Sequence, residues 1–176
     1  MMVTQNTPRR RLAMPYKQRG AAVVEFAILL IPLLILGFGT VEYGRAIYEY
    51  NTLVKSVRSA ARMLSQHSPG DAAYATHREE ARCLSVFGNS ACAQGSKALA
   101  TGLTKSNIKI CDRISWSDCA GTAQSNFEDV ATGSGNINVV VVRVSGYRFT
   151  LLGLPFMGNA NGLDFGPIEA VMRQNG

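Results

Sequence analysis

One long apolar run dominates the pattern of hydrophobic and polar positions along this 176-residue chain. The run covers residues 21–41, which are 21 residues with a single charged side chain, Glu25. At about 1.5 Å per residue, a helix of this length crosses the ~30 Å hydrocarbon core of a bilayer. A carboxylate in hydrocarbon is disfavoured by roughly 2.5–3.5 kcal/mol on insertion scales. The pattern therefore predicts a transmembrane helix whose one carboxylate needs a compensating partner.

The helical pattern continues beyond the apolar run and becomes amphipathic from about Glu42. Apolar side chains recur there at helical spacing, namely Ile47, Val54, Val57, Ala61 and Leu64. Charged side chains fall on the other faces, namely Arg45, Glu49, Lys55, Arg58 and Arg62. The sequence Ser68-Pro69-Gly70-Asp71 ends the pattern. We therefore predict one helix over residues 21–66, about 65–70 Å long.

The remaining residues, 67–176, predict a small head domain. A second helix is predicted over 71–87, and strands are predicted over 107–111, 113–116, 137–149 and 163–173. Between residues 88 and 135, apart from the first two strands, Gly, Ser, Asn and Thr predict loops. The predicted fold class is α+β, with the amphipathic half of the long helix packed on a small antiparallel sheet.

The net charge of +6 is concentrated at the N-terminus. Residues 1–20 carry five basic side chains and no acidic one, whereas residues 42–176 hold 13 basic and 11 acidic side chains. Because no stripe of aromatic and basic residues accompanies this charge, the sequence predicts no nucleic-acid partner. A basic flank before a membrane helix stays in the cytoplasm. The chain is thus predicted to have a disordered cytoplasmic leader (1–20), one membrane span (21–41) and an exported head (67–176).

All four cysteines lie in the predicted head: Cys83, Cys92, Cys111 and Cys119. An even number of cysteines on the exported side indicates disulfides formed in an oxidising compartment. Three pairings are possible. Pairing Cys83 with Cys92 and Cys111 with Cys119 closes the shortest loops and is favoured. The spacings do not fit a zinc cluster, so no metal is predicted there.

The start of the apolar run has the pattern of a prepilin-type processing site. Gly20 follows the basic leader, the small residue Ala21 comes next, and Glu25 and Phe26 begin the long apolar helix. A cleavable secretory signal is the alternative, but its apolar core is usually 7–15 residues and ends at an A-x-A-like site. Residues 39–45 contain no such site. Further along the run, Pro32 is expected to kink or locally melt the helix, and Gly37 and Gly39 form a small-residue patch for helix packing.

The sequence contains no strong catalytic motif. There is no G-x-S-x-G elbow, P-loop, dinucleotide-binding fingerprint or H-E-x-x-H motif. The only histidines, His67 and His77, are interpreted as part of a solvated surface. Three aspartates could bind calcium in an exported domain but lack EF-hand spacing, namely Asp112, Asp118 and Asp164. We therefore predict a protein that is not an enzyme and has no cofactor.

The N-terminal motifs together resemble the TadE-like family, minor pseudopilins of the tight-adherence (Flp-type, or Tad) pilus. The resemblance rests on residues 19–27, on Pro32-Leu33-Leu34, on residues 37–45, and on Val57-Arg58-Ser59-Ala60-Ala61-Arg62. It covers residues 19–64 specifically and the C-terminal strands loosely. TadF-like and TadG-like proteins share the N-terminal motif, although TadG-like chains are usually much longer.

The resemblance implies that a prepilin peptidase cuts between Gly20 and Ala21. Removing 20 of the 176 residues would leave a mature chain of 156 residues in the bacterial inner membrane, with its head in the periplasm. The implied partners are the prepilin peptidase, other pilins and pseudopilins, the inner-membrane pilus assembly platform and membrane lipids. The implied fold is pilin-like, and the implied function is assembly or priming of the pilus for adhesion. The alternatives are a major or adhesive pilin subunit, a type II secretion pseudopilin, and a signal-anchored periplasmic binding domain or enzyme.

Overall fold

The computed structural model describes residues 18–93, 95–119, 121–150 and 162–175. The chain divides into two compact units, residues 1–40 and residues 41–176. Almost all of the predicted leader, residues 1–17, lies outside the described residues, as do residues 151–161. The helices and strands are α1 (Gln18–Ser65), α2 (Tyr74–Phe87), β1 (Ile108–Cys111), β2 (Val130–Thr132), β3 (Gly135–Val144), β4 (Arg148–Phe149), β5 (Leu163–Asp164) and β6 (Ile168–Gln174).

The described part of the first unit consists of α1 from Gln18 to Thr40. Nearly every side chain from residue 21 to residue 40 is exposed, including the large apolar ones. The helix is continuous through Pro32, so the local melting expected at this proline is not observed.

The second unit is a small antiparallel sheet packed on the second half of α1, which confirms the predicted α+β class. Strand β3 is central: it pairs with β6 over residues 138–144, with β1 over residues 141–144 and with β2 over residues 135–137. Strands β4 and β5 form a separate two-stranded ribbon. Strand β3 can be a continuous valine run because it is covered on both faces.

Each face of β3 contributes to a different apolar cluster. Val140, Val142 and Val144 belong to the main core, whose other members include Leu53, Val57, Ala60, Ala61 and Leu64 of α1. Val139 and Val141 belong to a smaller cluster with Cys111, Cys119 and Phe127. Most of the predicted apolar face of α1 is therefore buried as expected.

Ile47 departs from that expectation, because its side chain is 41% exposed, whereas Ala46 and Glu49 are buried. The buried face of α1 thus begins with Ala46 and Glu49, where the sequence pattern predicted Ile47. Glu49 is retained inside because Tyr147, 98 residues later, donates a hydrogen bond to it.

Three strand predictions need correction. No strand covers 113–116, because the Asp112 side chain accepts hydrogen bonds from the backbone N–H groups of Ile114 and Ser115 and turns the chain. The predicted strand 137–149 is broken after Val144, where Gly146 adopts a φ of 68°. The predicted strand 163–173 is likewise divided into β5 and β6, with Gly166 at a φ of 68° before Pro167.

Candidate functional site

The predicted processing residues lie in the first turns of α1. Gly20, Ala21, Glu25 and Phe26 are all helical and exposed. Apart from Gly20, its two chain neighbours and the nearby backbone of α1, no heavy atom of the described residues lies within 4 Å of the point where a Cβ on Gly20 would stand. Among the residues that the structure describes, Glu25 takes part in no ion pair. The segment is therefore open to an enzyme or to a neighbouring subunit.

The exposed apolar surface of this segment requires a covering. Large apolar side chains are exposed at most positions from Val23 to Val41. Soluble monomers rarely leave such a surface in water. By length and composition α1 is able to cross a membrane, and no other described helix is. Gly37 and Gly39, which were predicted to mark a packing patch, have open space where a Cβ would stand.

In the second unit, a cluster of contacts around Arg45 connects α1 with β4 and with the residue that follows it, Thr150. The Arg45 guanidinium donates hydrogen bonds to Glu42 at 2.9 Å, to Glu49 at 3.2 Å and to the carbonyl oxygen of Thr150 at 2.5 Å. It also lies 4.3 Å from the ring centroid of Phe149, a cation–π distance. On the other side of Glu49, Tyr147 donates a 2.8 Å hydrogen bond to the carboxylate.

A second polar cluster connects α2 with the sheet. Asp112 is fully buried and accepts a 2.7 Å hydrogen bond from the hydroxyl of Tyr74. The Tyr74 oxygen in turn accepts a 2.7 Å hydrogen bond from the side-chain amide of Gln174 in β6. Arg78 lies beside this group and donates to Ser115 at 2.6 Å and to Asp118 at 3.0 Å. Because Asp112 is enclosed, this cluster holds the head together and offers no access to a substrate.

Burial and a carboxylate neighbour raise the pKa of both clustered tyrosines. For Tyr74 the causes are burial and the hydrogen bond to Asp112, and for Tyr147 they are burial and the hydrogen bond to Glu49. In the unfolded chain the tyrosines ionise near pH 10, below their pKa in the folded head. The stability that the protonated tyrosines contribute to the head is therefore fully present below pH 10 and is lost as the pH rises above it.

We therefore expect the free energy of unfolding of the head to fall above pH 10 by about 1.4 kcal/mol per pH unit for each buried tyrosine. Urea titrations at several alkaline pH values measure this slope. Tyr74→Phe should remove the contribution of Tyr74 to the slope of the unfolding free energy against pH. Tyr48→Phe, at an exposed tyrosine, should leave this slope unchanged. An equal slope in the Tyr74→Phe variant would contradict this assignment.

The cysteines form the two pairs that close the shortest loops, as predicted. Cys83 of α2 is joined to Cys92, and Cys111 at the end of β1 is joined to Cys119. Trp116, which lies between Cys111 and Cys119 in the sequence, has a relative exposure of 40%. Both disulfides are local links within the second unit, and they are compatible with an oxidising compartment.

The histidines and the candidate calcium ligands do not form a metal site in the described residues. His67 and His77 stack with ring centroids 3.7 Å apart, and His77 lies 3.0 Å from a Glu80 oxygen. No three His, Cys, Asp or Glu side chains of the described part are placed to hold an ion. Asp112 and Asp118 are engaged with Tyr74 and Arg78, and Asp164 lies apart from them in β5.

Sequence reasoning missed Glu49, Tyr147 and Asp112 as a group of buried polar residues. One signal for Glu49 was present, because it lies three residues after Ala46 and four before Leu53, on the helix face that is buried. For Asp112 and Tyr147 the partners are 38 and 98 residues away, and no local pattern connects them.

The fold and the N-terminal segment define a class of protein: a single apolar helix able to cross a membrane, continued into a small α+β head. Comparison with known families narrows this class, because residues 20–62 match the model described as TadE-like protein. Over these residues the match confirms the resemblance to the TadE-like family that was predicted from the motifs. Neither the curated proteins nor the solved structures gave a match.

Proposed function

We propose that this chain is a pseudopilin that takes part in assembly or priming of a tight-adherence pilus. The observation that carries the proposal is the exposed apolar helix that begins at Gly20 and contains one carboxylate, Glu25, within the segment that matches the TadE-like family. A peptide bond after glycine is accessible to a protease because no Cβ shields it. The protein is a bitopic inner-membrane protein with a cytoplasmic leader and a periplasmic head.

Processing at Gly20–Ala21 changes the charge of the N-terminus. It removes the leader with its five basic side chains and creates a new amino group on Ala21. This amine and the Glu25 carboxylate have opposite charges in hydrocarbon, where both need a partner. In an assembled stack, Glu25 pairs with the Ala21 amine of a neighbouring subunit, which offsets the cost of burial and sets the register. The small residues Gly37 and Gly39 allow neighbouring helices to approach closely.

The partners of this function follow from its steps. A prepilin peptidase cuts the leader at the cytoplasmic face, and the leader's basic side chains hold the bond near the anionic leaflet. The processed helix then packs against other pilins and pseudopilins, on the inner-membrane assembly platform. In the head, the buried polar clusters around Asp112 and Glu49 connect elements to one another, and no catalytic role is proposed for them.

The test is the intact mass and N-terminal residue of the membrane-extracted protein, from cells with and without the prepilin peptidase. We expect a mature chain that starts at Ala21 only when the peptidase is present. A start at Met1 in both strains would refute processing and leave a signal-anchored protein. Deleting the chain should also reduce the yield of sheared pili, which distinguishes assembly from an unrelated membrane role.

A further inference from the structure

The solvent-facing side of α1 in the second unit carries an exposed row of residues at coiled-coil spacing. We name this row the α1 seam: Val41, Gly44, Tyr48, Asn51, Lys55, Arg58 and Arg62. The intervals alternate between three and four residues, the 3.5-residue period at which one helix follows another. Every member is exposed, including Val41 at 69% and Tyr48 at 72%.

The seam changes character along its length. Its first part, from Val41 to Tyr48, is small, apolar or aromatic, and its last part consists of three basic side chains: Lys55, Arg58 and Arg62. None of these three takes part in an ion pair within the described residues, whereas Arg45 on the same helix has two carboxylate partners. Like charges three and four residues apart also disfavour a helix. A helix face that is only solvated would be more stable if basic and acidic side chains alternated along it.

From the spacing, exposure and charge of the seam, we propose that it docks a helix of another membrane-anchored subunit. That helix presents small or apolar residues beside Gly44 and Tyr48, and carboxylates beside Lys55, Arg58 and Arg62. The proposal rests on the proposed function, because it names the chemistry of one assembly partner. It goes beyond packing inside the membrane, since all seam residues from Gly44 onward follow the apolar run.

Two other occupants fit the seam less well, one because of its charge and the other because of its distance. A second copy of this chain, anchored the same way and in register, would place its own basic residues against this basic group. Anionic lipid headgroups do not reach it, because Lys55 lies about 21 Å along the helix from Val41, more than two Debye lengths of about 8 Å at physiological salt.

The experiment places a photo-crosslinking amino acid at Asn51 in the full-length chain, in living cells. Ser134, in the exposed turn between β2 and β3, is the matched control position. We expect an adduct from Asn51, and not from Ser134, to another membrane-anchored subunit. The linked peptide should be a helix with acidic side chains three or four residues apart.

Charge reversal then tests the basic part of the seam. Arg58→Glu combined with Arg62→Glu should reduce the Asn51 adduct by about tenfold, through loss of ion pairs and new repulsion. Arg148→Glu combined with Arg173→Glu makes the same charge change at two exposed arginines outside α1 and should leave the adduct unchanged. Changing the partner's linked carboxylates to lysine should restore the adduct of the reversed variant.

Three results would overturn the proposal: an undiminished adduct after reversal at Arg58 and Arg62, an adduct to a second copy of this chain, or no protein adduct at all. Tryptophan fluorescence checks that the reversed variant is folded. The start of the mature chain, measured in the same cells, reports separately on the proposed function. A chain that starts at Met1 and still gives a charge-sensitive adduct would refute processing and support docking at the seam. Normal processing without an adduct would support processing and refute docking at the seam.

Discussion

Replacement of Asp112 by alanine is expected to destabilise the head by about 3 kcal/mol, because a buried group that pairs with several donors is lost. Asp112 is fully buried, and its two oxygens accept from the Tyr74 hydroxyl and from two backbone N–H groups. Its removal leaves these donors without an acceptor and opens a small cavity. The Arg78 guanidinium, 3.9 Å away, loses a counter-charge at the same time.

The measurement is urea unfolding of the full-length protein in detergent, with the disulfides intact. Trp116 is the only tryptophan and lies four residues after Asp112, so its fluorescence reports on the head rather than on the apolar helix. Asp71→Ala is the matched control, since this aspartate is exposed and its side chain makes no hydrogen bond in the described residues. The control should change the stability by no more than about 0.5 kcal/mol. Equal stability of the two variants would show that the Tyr74–Asp112 cluster does not hold the head together.

The features that could be predicted from the sequence are those set by local periodicity. The length and composition of residues 21–41, the buried helix face at Val57, Ala61 and Leu64, and the central valine strand are of this kind. Loop length also favoured the disulfide pairing, because the paired cysteines are only nine and eight residues apart.

The features that could not be predicted depend on single residues that override a pattern. The run Arg113-Ile114-Ser115-Trp116 alternates like a strand, but Asp112 captures its backbone N–H groups and makes a turn. Glu49 lies on the buried face by its helical spacing, and its carboxylate is tolerated there because Tyr147 and Arg45 donate hydrogen bonds to it. Asp112 acts locally, on residues two and three positions later, whereas Tyr147 reaches Glu49 from 98 residues away through the tertiary fold. Hydrophobic periodicity carries no information about either hydrogen-bonding partner.

Glu25→Gln is expected to abolish or strongly reduce piliation while the protein still reaches the membrane. The amide keeps the size of the side chain and removes its charge, so the proposed ion pair with the Ala21 amine of a neighbouring subunit cannot form. Membrane insertion itself should become more favourable, because a carboxylate in hydrocarbon costs up to roughly 3 kcal/mol of insertion free energy and an uncharged amide costs less. Glu25 makes no ion pair in the described residues, so the substitution breaks no ion pair there.

The yield of sheared pili and the intact mass of the membrane-extracted chain together locate the defect. A mature start at Ala21 without pili places the role of Glu25 in assembly, whereas an unprocessed chain places it in recognition by the peptidase. Glu42→Gln makes the same chemical change beyond the apolar run, where Arg45 retains Glu49 as a second partner, and it should leave piliation normal. Normal pili from the Glu25→Gln variant would mean that this carboxylate is held at the membrane interface by water alone, and the pairing with Ala21 would have to be abandoned.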